Sequence, residues 1–260
     1  MAHILEPKPQ GTEKRANKMK TATKMTTLAS SMVLLGLAAS SFSASAVELS
    51  GDITFASDYA FRGISQTDEG PAVQAGYTLS HDSGWYGSLW GSNIEFADGS
   101  LELDLSAGWA KDWDNGLTTD LGVIRYQYSQ DDTDLSYNEI YAVVSYADAK
   151  LGLVYSPDYF GENVDDFQYV YASYEPQLFS NVSLVLHLGS NFFASQQDMA
   201  LFLGSMAASN SHYLDWRVGL NLNMTEQDVL SVGYVDTDLS QSQCQSLCDA
   251  RWIVSLSRSF

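Results

Sequence analysis

The chain has 260 residues, with 32 Asp and Glu against 13 Lys and Arg, for a formal net charge of −19. An acidic excess of that size excludes nucleic acid as a partner and makes cations the natural counterpart. It contains 6 Trp, 15 Tyr and 11 Phe, yet no stretch after residue 46 approaches about 18 consecutive apolar residues. That excludes helical membrane spans there and leaves a soluble β-protein or a barrel with aromatic girdles.

At the N-terminus, the basic stretch Lys14, Arg15, Lys18, Lys20 and Lys24 leads into the apolar run Leu28 to Ala39. Ala44-Ser45-Ala46 then offers a small-x-small cleavage site. This is the grammar of a secretory signal peptide, with an apolar core too short to span a bilayer as a helix. We expect residues 1–46 to be removed and residues 47–260 to form a single domain. Residues 1 to 18 are unusually polar for a signal, which leaves Met19 or Met25 as alternative starts. The removed segment holds 6 of the 13 basic and 2 of the 32 acidic side chains. The mature chain therefore carries 7 against 30, a net −23.

From residue 47 onward the apolar pattern has period two. Leu49, Ile53 and Phe55 oppose Asp52 and Thr54, and Val73, Ala75, Tyr77 and Leu79 oppose Gln74 and Thr78. Leu101 to Trp109 alternates without a fault against Glu102, Asp104, Ser106 and Gly108. Successive strand side chains face opposite ways, whereas helical spacing would scatter these residues around a cylinder. Twelve strands are predicted, near 48–58, 71–80, 85–94, 100–112, 117–128, 137–147, 150–156, 166–175, 181–191, 212–223, 228–236 and 250–260. Two are irregular. In 85–94, Trp85, Gly87 and Leu89 compete with Tyr86 and Trp90, and 166–175 is rich in Tyr on both faces.

The connections fall into two classes. After even-numbered strands come compact turns such as His81-Asp-Ser-Gly84 and Trp113-Asp-Asn-Gly116, rich in Asp, Asn and Gly. After odd-numbered strands come mostly longer segments, notably 59–70, 157–165, 191–211 and 237–249. We therefore expect an all-β fold, a closed antiparallel transmembrane β-barrel of about 12 strands, with short periplasmic turns and longer extracellular loops. In hydrocarbon every backbone N–H and C=O needs an internal partner, so a sheet can cross only by closing on itself.

Ser57-Asp-Tyr-Ala-Phe-Arg-Gly-Ile-Ser-Gln66, together with Gly91-Ser-Asn93 and the closing Ser255-Leu-Ser-Arg-Ser-Phe260, resembles the TorF-like family of outer-membrane porins. The resemblance spans Val47 to Phe260. It implies a barrel in the bacterial outer membrane and passive transport.

Parity nominates the lumen side chains. Asp52, Glu102, Asp104, Asp120, Glu139 and Asp215 point inward, as do Arg217 and Arg251, and Asp58 falls near the outer mouth. The first long loop is expected to fold inward as a constriction, with Arg62 facing Asp58, Glu102 or Asp104. A turn shaped by Gly63 with Arg62 in a structural ion pair is the equal alternative. A lumen ringed by carboxylates prefers cations. The loop acids Asp131, Asp132 and Asp134 read as a solvated surface, with divalent bridging to lipopolysaccharide phosphates as the other option.

Cys244 and Cys248 are expected to form a disulfide in a secreted chain. No cofactor or metal is expected. His212 and Asp215 fall on opposite strand faces, and no Gly-x-Ser-x-Gly, His-Glu-x-x-His or phosphate-binding glycine loop occurs, so the chain reads as a non-enzyme. The Met199 to Met206 stretch could be a short helix in the lumen or against a neighbouring barrel. The expected function is a narrow, cation-preferring porin-like channel for ions or small hydrophilic solutes. The alternative is a non-conducting structural or adhesive surface barrel, whose sign would be a lumen sealed by packed Tyr and ion pairs. Phe260 is expected to anchor at the periplasmic interface and to act as an assembly signal. Outer-membrane lipid, lipopolysaccharide and the barrel-assembly machinery are then the partners. Arg258, on the lipid-facing parity, is expected to snorkel to the headgroups.

Overall fold

The computed structural model describes residues 47–96, 99–129, 135–161 and 164–260. The expected signal peptide and the acids Asp131, Asp132 and Asp134 lie outside the described residues. Twelve long strands form the wall. They are β1 (Val47–Ala56), β2 (Ala72–His81), β3 (Trp85–Phe96), β4 (Gly99–Asp112), β5 (Leu117–Tyr128) and β6 (Tyr137–Tyr146). The second half comprises β7 (Ala149–Ser156), β8 (Phe167–Tyr174), β9 (Val182–Phe193), β10 (His212–Asn223), β11 (Asp228–Thr237) and β12 (Arg251–Ser259). The strand bounds agree with those read from alternation to within two residues.

Each strand pairs antiparallel with its neighbours in sequence, and β12 returns to β1 in the register Asp52 to Ser259 through Ala56 to Ser255. The sheet is closed, so it leaves no unpaired edge for lipid to meet. The outward face is the apolar one. Leu105 on β4, Val123 on β5 and Leu153 on β7 are each about half exposed, as side chains facing lipid would be. Trp85, Trp113, Tyr146 and Phe179 ring one rim, and Trp252 and Phe192 stand near the other, where amphipathic rings suit the membrane interface. The two irregular strands resolve by packing. Tyr86 and Trp90 turn inward on β3, and Tyr169 and Tyr171 turn inward on β8, leaving Val170 and Tyr174 outside.

The inner wall changes along the barrel. Toward the periplasmic rim it carries small polar side chains such as Ser88, Ser106, Thr118, Ser145, Ser183 and Asn221, all only partly buried. Tyrosines at this level lie flat, because the strand beside them carries glycine. A Cβ at Gly108 would sit 2.5 Å from the Tyr86 hydroxyl. The extracellular half is instead filled. A short hairpin, Ala60–Phe61 with Ile64–Ser65, enters the barrel from the loop after β1. A seven-residue helix, α1 (Gln196–Phe202), is capped by Ser195 and packs Met199 and Phe202 onto the aromatic core. The Met199 to Met206 stretch is thus helical only as far as Phe202, with Met199 buried in the barrel's own core and Met206 exposed. A single turn, α2 (Gln241–Cys244), follows in the last long loop.

Candidate functional site: an inserted hairpin in the outer lumen

The hairpin tip is the pair Arg62-Gly63, with φ of +48° and +83°, the two left-handed residues that a type I′ turn requires. Glycine at 63 is needed twice over, because any side chain there would collide with Thr237 on β11 and crowd Asp215 on β10. That close approach drives the tip across the lumen and buries Arg62 at 5% exposure.

Arg62 does not face the carboxylates expected for it. Its Nη2 donates to Glu139 Oε1 at 2.8 Å and its Nη1 to the Tyr159 hydroxyl at 3.1 Å. Neither Asp58 nor Glu102 nor Asp104 bonds to it, because the hairpin carries the guanidinium past β4 to β6. The guanidinium also lies 4.6 to 5.5 Å from the ring centres of Phe61, Tyr159, Phe167 and Tyr169, within cation–π range. Burial is the largest influence on its proton affinity and opposes the charge, but Glu139 and the surrounding tyrosines outweigh it. The net direction is upward, and the group stays protonated. Glu139 takes a second bond from the Tyr126 hydroxyl at 3.0 Å. Around the pair the rings stack, with Tyr126 on Tyr137 at 4.5 Å and Tyr159 on Phe167 at 3.8 Å. A cavity of about 30 Å³ remains beneath the tip, between Arg62, Glu139 and Tyr171, enough for one or two waters.

Asp58 anchors the base of the insertion. It accepts bonds from Ser65 (2.6 Å) and Thr67 (2.9 Å) on the returning arm, and it pairs with Arg251 Nη1 at 2.9 Å. Arg251 also donates to the carbonyls of Asp249, Ser246 and Leu247, which ties the inserted loop to the loop before β12. Cys244 and Cys248 are disulfide-bonded in that same loop, with Cα atoms 6.0 Å apart. The Leu247 carbonyl between them accepts from Ser65 N at 2.8 Å.

The remaining nominated acids sort by partner. Asp120 accepts from the Tyr86 hydroxyl at 2.8 Å. Asp215 lies 3.4 Å from His187 Nε2 and accepts from Tyr169 and Asn191, a cluster that parity brings together across β8, β9 and β10. His212, by contrast, is exposed on the other face. Asp52 is half-buried near the periplasmic rim. Glu102 and Asp104 are both buried on β4. Glu102 accepts from Tyr128, and one oxygen of each has no hydrogen-bond partner among the described residues. Arg217, on β10, bonds Ser231 and, among the described residues, no carboxylate. Among the described residues no set of three or more His, Cys, Asp or Glu is arranged around a metal position.

The scarcity of basic residues, 7 after residue 46, makes Arg62 conspicuous but gives no access to Tyr159, Phe167, Tyr169 or Glu139 as its surroundings. The available signal was the inward parity of Glu139 and Tyr169, which becomes informative only once the loop is known to enter the barrel.

A closed twelve-stranded antiparallel barrel with an apolar lipid-facing belt defines a bacterial outer-membrane barrel of the porin type. The chain belongs to the Gcw_chp family, bacterial proteins of unknown function, whose model matches residues 40–260. That match does not carry the TorF-like name. No curated protein matches the chain in sequence. Among solved structures, the KdgM porin is similar at 12% identity and a TM-score of 0.52, covering 81% of this chain and 99% of that one. The KdgM porin in complex with disordered oligogalacturonate gives 11% identity and 0.52, with the same coverage. The NanC porin gives 12% identity and a TM-score of 0.49, covering 81% and 98%. At these identities the likeness is one of fold.

Proposed function

We propose that the protein is a narrow, cation-preferring outer-membrane channel for ions or small hydrophilic solutes, with the Arg62 hairpin as its constriction. Of this, the TorF-like resemblance implies only the outer-membrane barrel and passive transport. The observation that carries it is the inserted hairpin standing in a lumen whose acids outnumber its paired cations. Arg62 and Arg251 neutralise Glu139 and Asp58, while Asp52, Glu102, Asp104 and Asp120 have no Lys or Arg salt bridge among the described residues. Such a wall favours cations over anions. It opposes a polyanionic solute of the oligogalacturonate kind, so the ligand seen with KdgM is not carried over.

The protein is read as a non-enzyme. Ser173 sits 2.9 Å from His187 Nδ1, and Tyr169 sits 2.7 Å from Nε2. Ser173, His187 and Asp215 are buried at 8%, 8% and 4% exposure, so this grouping does not present the Ser173 hydroxyl to a solute.

Planar-bilayer recording of the purified protein tests the channel reading. Discrete conductance with a cation-selective reversal potential under a salt gradient is expected, and anion selectivity would refute the preference. The second reading, a non-conducting structural or adhesive barrel, is favoured by one feature, the stacked tyrosines packed around the buried Arg62–Glu139 pair. Complete absence of conductance would select it.

A further inference from the structure

We propose that Glu102, Asp104 and the Tyr59 hydroxyl form a binding site for a hard divalent cation that clamps the inserted loop to the β4 wall. Two carboxylates sit two residues apart on the same inward face of β4, at 2% and 7% exposure. The lumen arginines are committed elsewhere. Arg62 serves Glu139, Arg251 serves Asp58, and Arg217 stands six strands away on the opposite wall. Two like charges brought this close out of water, with no counter-charge among the described residues, are costly unless a cation or a shared proton joins them.

The unused atoms favour the cation. Glu102 Oε2 and Asp104 Oδ1 both lack a hydrogen-bond partner among the described residues, and the Tyr59 hydroxyl, buried at 3% exposure, has Glu102 beside it and no other partner there. Tyr59 belongs to the inserted loop, three residues before Arg62. Its ring packs edge-on against Trp90 at 5.5 Å, and Trp90 is the cross-strand partner of Asp104, as Ser92 is of Glu102. Its hydroxyl lies beside Glu102 and within electrostatic reach of Asp104. The donors are all oxygen, carry two negative charges and come from two separate parts of the chain. That set suits Ca²⁺ better than a transition metal, because carboxylates can bind it in one- or two-oxygen fashion with irregular geometry. With only two acids, the set falls short of the three expected of an all-carboxylate site, and the phenol supplies the third side chain. The site does not depend on whether the lumen conducts.

The test uses the folded barrel in detergent, stripped with EDTA and titrated with CaCl₂ while binding heat and unfolding temperature are followed. One saturable site per chain and a saturating rise in unfolding temperature are expected, smaller with MgCl₂ and absent with KCl at matched ionic strength. Glu102→Gln with Asp104→Asn should abolish both signals and, in EDTA, melt above the parent, because the like charges are gone. That reversal keeps the test informative even though the variant cannot bind. Tyr59→Phe should weaken affinity at least about tenfold. Asp120→Asn, whose carboxylate is already held by Tyr86, should bind as the parent does. No saturable Ca²⁺ binding, an equal response to KCl, or unchanged binding in the double variant overturns the site. A stability that answers only to acid identifies a shared proton and overturns it too.

Discussion

Replacing Arg62 by Ala is the sharpest single perturbation of the inserted hairpin. The Arg62–Glu139 pair is at 5% and 1% side-chain exposure, so the change strands a carboxylate in a dry, ring-lined space with only the Tyr126 hydroxyl to hold it. Removing one partner of a buried ion pair costs about 3–5 kcal/mol. Glu139→Ala strands the guanidinium instead and should cost a similar amount. The double variant removes both charges, so it should lose less than the sum of the singles by about 2–3 kcal/mol. Urea unfolding of the detergent-folded protein, followed by Trp fluorescence, measures all three. In bilayers, Arg62→Ala should also raise conductance, since it empties space next to the existing cavity of about 30 Å³. Additive single losses below about 1 kcal/mol would show that Glu139 is neutral or hydrated, and the insertion would then rest on the rings alone.

Gly63→Ala places a side chain at φ +83° against Thr237 and Asp215. It should cost about 1–3 kcal/mol and loosen the tip, read as added conductance or as new protease cleavage within residues 57–71. Leu105→Arg on the lipid face should cost about 2–4 kcal/mol in refolding into lipid vesicles, whereas Ser106→Asn, one residue on but inside the lumen, should be nearly neutral. Cys244→Ser with Cys248→Ser should lose no more than about 2 kcal/mol, because the bridge closes only a few residues. A larger loss would mean that this loop holds the inserted hairpin more tightly than the Arg251 contacts suggest.

The strands were legible because a barrel wall is a two-sided problem solved residue by residue. Leu101 to Trp109 must alternate if one face meets lipid and the other the lumen, and nothing distant alters that demand. Where both faces offered aromatics, as with Trp85, Tyr86, Leu89 and Trp90, alternation had no preference. The choice fell to glycines on the next strand, such as Gly108, that leave room for an inward ring. Asp58 continues the parity of β1 and lies buried beside Arg251. For Arg62 alternation leaves the choice between a constriction and a structural ion pair open, because its partner depends on how deep the loop enters, and that depth is set by the fit of Gly63 against β10 and β11. The His187–Asp215 contact lay between the two cases. Both residues had inward parity, but only the register Gly189 to Asp215 puts them at bonding distance.

The closing strand shows the same division between what alternation decides and what contacts decide. Trp252, Val254 and Leu256 face outward as their spacing requires. Phe260 does more than share that face. Its backbone exchanges hydrogen bonds with Gly51 at 3.0 and 2.9 Å, and its ring lies 5.7 Å from that of Tyr77. A Cβ at Gly51 would meet the ring at 2.8 Å, so this aromatic fits only because β1 carries no side chain beneath it. Arg258, the one charge on the outward face of this strand, reaches Asp228 at the start of β11 at 3.5 Å and Gln227 in the turn before it at 3.3 Å, and its side chain stays 60% exposed. The seam between the first and last strands is therefore sealed at the periplasmic rim by one ring over one glycine. On that geometry we propose that Gly51→Val impairs closure of the barrel more than it destabilises β1. Slowed folding into vesicles with little change in urea midpoint is the expected signature, and an equal loss in both would place the defect in the strand itself.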